Sequence, residues 1–449
     1  MVNALSRSVA QGLAVSALLS TSTAWSQESV AERIEKLERE MAALKRELEA
    51  DQQAVAEREA KAARVEYGKS GLRVSSADGQ DGLRLRGYLQ TDSRTFISDD
   101  ENLGVDTFLV RRARPILEGH VGDFNFRLMY DLAQSDSSRA LFDAYAEYRP
   151  GKAFALRAGK FKVPFGLDRL RSANDIAFVE RSMPNNLAPN RDVGLMAYGT
   201  FLPGFSWELG LFNGVQDLGN VSSNADDELE WAARLFAHPF AGSGSALEGL
   251  GLGVAATWGE KDGSPASRQV GDYRSPSQVR VFRYRSGTHA DGDHWRIGPQ
   301  GYFYAGPFGM QAEYAVSSQQ VRNGDQRAEI ENSAWEVQFR YVMTGEDAAH
   351  KGWPAATNAF NPRDGHWGAW EIAAKVGQLD IDAAAFPWFA DPAAAVARAD
   401  NYGLALHGYL TDNVKVIVDY EHTRFDGGAS AGADRETEQV VLARINYKF

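Results

Sequence analysis

The sequence predicts an all-β protein: a transmembrane antiparallel β-barrel of about 16 strands, with a short N-terminal α-helical coiled coil. Three observations predict it. The 449 residues have a mean hydropathy of −0.38, and beyond the N-terminus no apolar run approaches the roughly 20 residues of a membrane helix. From about Leu83 the chain instead alternates apolar and polar residues over segments of about nine to fourteen. Soluble strands average five or six residues, whereas tilted membrane strands need about 9–11. Aromatic residues reach 11%, with 10 Trp, 16 Tyr and 23 Phe, which leans the same way. With no Cys, disulfide scaffolds and Cys-zinc sites are excluded. The 48 Lys+Arg against 60 Asp+Glu, a net charge of −12, argue against a nucleic-acid partner.

Residues 1–26 read as a secretory signal. Arg7 is their one charge, an apolar stretch follows through Leu13, Val15, Leu18 and Leu19, and small residues Ala24 and Ser26 precede Gln27. Residues 27–61 are different material. Val30, Ile34, Leu37, Met41, Leu44 and Leu48 recur at alternating spacings of four and three, an a/d seam about three heptads long. Such a seam needs a partner helix, so this part is expected to be a periplasmic coiled coil. Residues 62–82 read as a linker with one short strand around residues 72–74.

Residues 83–449 are the expected barrel. Its first strand sets Leu83, Leu85, Leu89 and Ile97 against Arg84, Arg86, Tyr88, Gln90, Asp92 and Arg94. The third sets Phe124, Phe126, Leu128, Tyr130 and Leu132 against Asn125, Arg127 and Asp131. Later segments repeat the theme, with Lys375, Lys415 and Asp419 at polar positions. Short connectors such as GHVGD, RPGKA, LPGF, AGPFG and LTDN alternate with longer polar stretches. Outer-membrane barrels have that asymmetry, with short periplasmic turns and long external loops. Residues 345–367 break the pattern as an unusually long periplasmic turn. The final strand carries Val441, Ala443, Ile445, Tyr447 and Phe449 on one face, and a terminal Phe is the kind of ending that barrel assembly reads.

Motifs of catalysis and cofactor binding are missing. No HExxH, P-loop or GxSxG occurs, and Gly249, Gly251 and Gly253 lack the last glycine of a dinucleotide fingerprint. No cofactor or metal is expected. The feature that carries function is a basic ladder: Arg84, Arg86 and Arg94 on the first strand, Arg112 and Arg114 on the second, Arg127 on the third. Facing lipid, each would cost about 2–4 kcal/mol at the midplane, so all are expected to face the lumen. Guanidinium groups lining a narrow wet passage favour anions, and their planar fork suits phosphate-like oxygens. The bland alternative is that they merely fill the barrel in pairs with Asp92, Glu118, Asp131, Asp143 and Glu147.

The run FLVRRARPILEGHVGDFNFRLMYD and then FDAYAEYRPGKAFALRAGKFKVPFGLDRL resembles the phosphate-selective porins O and P of bacterial outer membranes. So do residues 180–199, FNG at 212–214, YVMTGE at 341–346, GAWEIAAK at 368–375 and residues 403–423. The resemblance implies a barrel of sixteen strands in the outer membrane, assembled as a homotrimer and conducting small anions, phosphate or polyphosphate among them. It implies that one long loop, here residues 163–190, folds into the channel. A later basic loop also lies at the constriction in that family, and VRVFRYRSG (279–287), with Arg280, Arg283 and Arg285, looks like its counterpart; the carry-over extends more loosely to Lys160, Lys162 and Arg191. Outer-membrane lipids are the expected surroundings, and the coil is expected to reach periplasmic or peptidoglycan partners. A general or mixed-selectivity pore, a lipase-like barrel enzyme and a structural exported protein are the alternatives. Residues 27–61 hold 7 basic and 10 acidic residues and Arg7 adds one charge, leaving −10 for the rest. Where those acids lie decides between an anion path and its alternatives.

Overall fold

The computed structural model describes residues 30–98, 104–135 and 140–449. The signal expected at 1–26 lies outside them. The chain divides into two units at Ala62. In the first, α1 (Val30–Lys61) is one continuous helix, and the whole apolar seam from Val30 to Leu48 is exposed on it.

In the second unit the segment read as a linker carries a hairpin, β1 (Arg64–Gly68) and β2 (Gly71–Ser75). The strand expected around residues 72–74 is the middle of β2. The barrel follows: β3 (Asp81–Ser98), β4 (Thr107–Val121), β5 (Phe124–Tyr130), β6 (Leu141–Tyr148), β7 (Ala155–Lys162), β8 (Arg191–Leu202), β9 (Phe205–Phe212), β10 (Glu230–Ala237) and β11 (Leu250–Asp262). Two inner strands, β12 (Asp272–Arg274) and β13 (Arg280–Arg283), pair only with each other. The wall resumes with β14 (His289–Ala305), β15 (Phe308–Asn323), β16 (Gln326–Val342), β17 (Ala369–Asp380), β18 (Val396–Tyr409), β19 (Val414–Gly427) and β20 (Glu438–Lys448). Every wall strand is antiparallel to its neighbours, and β20 pairs with β3, which closes a barrel of 16 strands.

Closure leaves no edge, as a spanning sheet requires. Phe449 exchanges both backbone hydrogen bonds with Gly87, at 3.0 Å each. A Cβ on Gly87 would lie 2.9 Å from the Phe449 ring, so the close approach needs glycine. Beyond Gly87 the edge of β3 would be bare, and β2 takes it, pairing Leu72 with Leu85 and Val74 with Leu83.

Alternation sorts the side chains as expected. Leu83, Leu85, Leu89, Ile97, Ile445 and Tyr447 face outward, while Gln90, Asp92, Arg444 and Asn446 are buried inside. Two bulges interrupt it. Arg111 is an extra residue in β4 between the pairs Gln90–Arg112 and Thr91–Val110, and Phe142 is extra in β6 between Met129–Asp143 and Tyr130–Leu141. Each turns one more side chain inward.

Candidate functional site

The connector from β7 to β8, residues 163–190, folds into the barrel and crosses its lumen. Gly166, at φ 81, turns the chain into the helical turn Leu167–Leu170. Val163, Phe165, Ala177, Val179, Leu187 and Ala188 are all fully buried. The far wall grips the connector's backbone through carboxylates. Glu313 accepts from the Leu167 and Asp168 amides at 2.8 and 3.1 Å, Asp419 from Val179 at 2.5 Å, and Glu336 from Met183 at 2.9 Å. The near wall grips it through Glu180, which lies 2.5 Å from Arg111, 3.3 Å from Arg112, 3.6 Å from Arg444 and 3.7 Å from Arg94. Burial pushes the Glu180 carboxyl up, but Arg111, Arg112 and Arg444 outweigh it and hold it well below the usual carboxylate range.

What stays open beside the connector is two cavities. The one toward the long loops holds about 510 Å³ and is lined by eight arginines against three carboxylates, Glu180, Asp217 and Asp272. The one toward the chain ends holds about 490 Å³, with six arginines and two lysines against Asp143, Asp175 and Glu208. Three residues line both: Arg114, Arg181 and Arg191. The neck between the cavities is therefore a ring of guanidiniums. Arg114 lies 2.8 Å from Asp131 and donates to the Tyr88 hydroxyl at 2.8 Å, and Arg191 lies 3.1 Å from Asp143. The bulged Phe142 ring sits between them, 3.9 Å from the Arg114 guanidinium and 4.5 Å from that of Arg191. Arg181 is held by the carbonyls of Asp168 and Arg171.

The sequence-predicted residues separate into groups. Arg112, Arg114 and Arg191 line the upper cavity, and Arg86, Arg114, Arg127, Lys162 and Arg191 the lower. Arg94 lies against Glu180, and Arg84 donates to the Ser70 carbonyl at 2.8 Å near the chain ends. Lys160 is buried on Ser222 at 2.9 Å, outside both cavities. Arg280, Arg283 and Arg285 also lie outside them. Arg280 pairs with Asp272 at 3.3 Å, Arg285 with Asp391 at 3.7 Å, and Arg283 is exposed. Their loop instead contributes Arg274, whose guanidinium donates to the Gln278 carbonyl at 2.7 Å, and Arg268. Sequence reasoning also missed Arg111, Arg157, Arg169 and Arg181. The pairs foreseen as filler do form, since Asp92 meets Arg444 at 2.7 Å, Glu118 meets Arg86 at 2.7 Å, and Glu147 meets Arg157 at 2.6 Å. The basic surplus remains after they are counted.

Among the described residues no His, Cys, Asp and Glu group is placed to hold a metal ion. His294 does meet Ser317 at 3.0 Å, but both are buried inside the wall, away from the outer face where a membrane esterase would need them.

A family model described as phosphate-selective porin O and P matches residues 83–449, four-fifths of the chain. The chain belongs to that family. The porin is thus an outer-membrane channel. No curated protein sequence matches it. Solved structures with the same fold include the outer-membrane channel DcaP of Acinetobacter baumannii, at a TM-score of 0.54 and 12% identity over 86% of this chain and 99% of that one. The trimer form of in-vitro folded OmpT from Vibrio cholerae reaches 0.52 and 10% identity over 82% and 99%. OmpF of Salmonella typhi in complex with daunomycin reaches 0.51 and 12% identity over 86% and 100%. At such identities these likenesses concern the fold alone.

Proposed function

We propose that the porin passes small anions, phosphate and polyphosphate among them, through the ring of Arg114, Arg181 and Arg191. The observation that carries this reading is the basic surplus of both cavities, eight cationic side chains against three carboxylates in each. Arg169, Arg268 and Arg274 line the upper cavity with no carboxylate within ion-pair distance among the described residues, each donating to a backbone carbonyl instead, which leaves their charge uncancelled beside the passage. Guanidinium forks match the paired oxygens of a phosphate, which a cation cannot use. The chain ends and short turns would lie on the periplasmic side. The trimer form of OmpT supports a homotrimer here, and the exposed seam of α1 supports pairing of that helix between copies in the periplasm.

A mixed-selectivity pore is the second reading, favoured by the carboxylate partners of Arg86, Arg114, Arg127 and Arg191. Reversal potential under a potassium chloride gradient across a planar bilayer separates the two. The anion reading expects a potential near that of chloride, and a potential near zero supports the mixed pore. Replacing both Arg181 and Arg191 by Ala is expected to lower the chloride preference about tenfold. Arg283→Ala and Arg285→Ala are expected to leave it unchanged.

A further inference from the structure

The β1–β2 hairpin carries an apolar face that the described residues leave uncovered. β2 pairs with β3 so that Leu72 stands opposite Leu85 and Val74 opposite Leu83. β1 pairs with β2 so that Tyr67 stands opposite Leu72 and Val65 opposite Val74. Residues directly opposite each other in antiparallel strands share a face. The apolar side chains therefore form two rows, Tyr67–Leu72–Leu85 and Val65–Val74–Leu83. Val65 is 66% exposed and Tyr67 78%, and Leu72, Leu83 and Leu85 are exposed with them. Register carries both rows on into the wall. Leu85 pairs with Leu117 and Leu117 with Leu128, while Leu83 pairs with Gly119 and Gly119 with Phe126. The hairpin thus extends the outward face of the barrel past the point where the barrel has closed.

Its other face is charged. Arg64, Glu66 and Arg73 alternate with the apolar residues, and all three are exposed. A sheet that is apolar on one side and charged on the other cannot sink into hydrocarbon, because the charges would lose their water. It suits the boundary of a membrane, as an amphipathic helix does. Tyr67 fits that level, with an apolar ring and a hydroxyl that stays wet. The hairpin is also braced so that this face stays outward. At its base Gly71, at φ 93, lies so close to β3 that a Cβ there would collide with the Leu85 carbonyl. At its tip Lys69 meets Asp412 at 3.4 Å, and the Asn413 side chain donates to the Lys69 carbonyl at 3.5 Å.

We propose that the β1–β2 hairpin is a membrane-surface foot, with Val65, Tyr67, Leu72 and Val74 seated in the phospholipid leaflet on the periplasmic side, where headgroups meet acyl chains. The foot rests on the periplasmic placement of the chain ends and not on which solute passes, so reversal potentials test the anion reading separately. The chain has no Cys, so a single nitroxide can be placed at will. Full-length porin carrying labelled Val65→Cys, Glu66→Cys or Tyr67→Cys is put into vesicles of phosphatidylethanolamine and phosphatidylglycerol. Collisions with oxygen, which enters the bilayer, are compared with collisions with a nickel chelate, which stays in water. The oxygen-to-nickel ratio at positions 65 and 67 is expected to exceed that at 66 by about fivefold. All three positions are exposed and outside the closed barrel, and heat-modified gel migration checks that each variant folds. Equal ratios at the three positions overturn the foot. Line broadening between nitroxides at position 67 puts a second copy of the chain on this face, and overturns it as well.

Discussion

Phe142 does at the neck what no polar residue could. It fills space between two guanidiniums and attracts both with its faces, so two like charges share one site without a carboxylate between them. Phe142→Ala is expected to raise single-channel conductance and to lower barrel stability by about 3 kcal/mol, read as an earlier midpoint in heat-modified gel migration. Glu180 is the opposite case, one carboxylate within 4 Å of four arginines. Glu180→Gln leaves Arg94, Arg111 and Arg112 without their carboxylate, while Arg444 keeps Asp92, a loss of about 3–5 kcal/mol. Its expected signature is a lower midpoint together with stronger anion preference. A lower midpoint with unchanged selectivity would make Glu180 an anchor alone.

At the scale of elements, the bulge at Arg111 sets the register of β4. Phe108 and Val110 face outward before it, and Ala113 and Leu117 after it, a pattern strict alternation cannot give across an odd interval. Deleting Arg111 is expected to send Phe108 and Val110 into the lumen, and the variant should yield no heat-modifiable band. If α1 pairs between copies as proposed, Leu37→Asn with Leu44→Asn is expected to lower the temperature at which the proposed homotrimer dissociates while leaving conductance intact. The two bulges also mark the limit of what the sequence discloses. Period-two alternation revealed the wall strands, their outward faces, and Arg86, Arg112, Arg114 and Arg127 as inward residues. It could not reveal Arg111 or Phe142, because a bulge changes the count without a sequence mark. Arg169 and Arg181 escaped for another reason: they lie in a non-repeating segment placed by distant partners such as Glu313 and Glu336. The basic loop expected at the constriction with Arg280, Arg283 and Arg285 does fold inward, but its residues on the upper cavity are Arg268 and Arg274.

Over the whole molecule, the net charge of −12 and a basic passage coexist because the acids are elsewhere occupied. Glu313, Glu336 and Asp419 are sealed behind the crossing loop, and Glu371 and Glu421 are paired with Arg340 and Lys375 at 2.8 and 2.9 Å. The lumen is thus an acidic wall and a basic wall with a partition laid against the acidic one. Replacing residues 167–187 by a short flexible link is expected to uncover that wall. Conductance should rise several-fold and the reversal potential should move toward the cation side. An enlarged pore that keeps its anion preference would mean the arginine wall acts without the partition.

The partition is held in a particular way. Its far-side grips at Leu167, Asp168, Val179 and Met183 are made by backbone amides, so they do not depend on which side chains those positions carry. A side chain facing the passage can therefore change under mutation without releasing those four grips, although Arg169 and Arg181 also brace carbonyls of the partition itself. A lineage carrying this barrel can exchange Arg169 or Arg181 for other residues and acquire a new solute preference without first inventing a new fold. For the engineer, those positions are the natural ones to randomise.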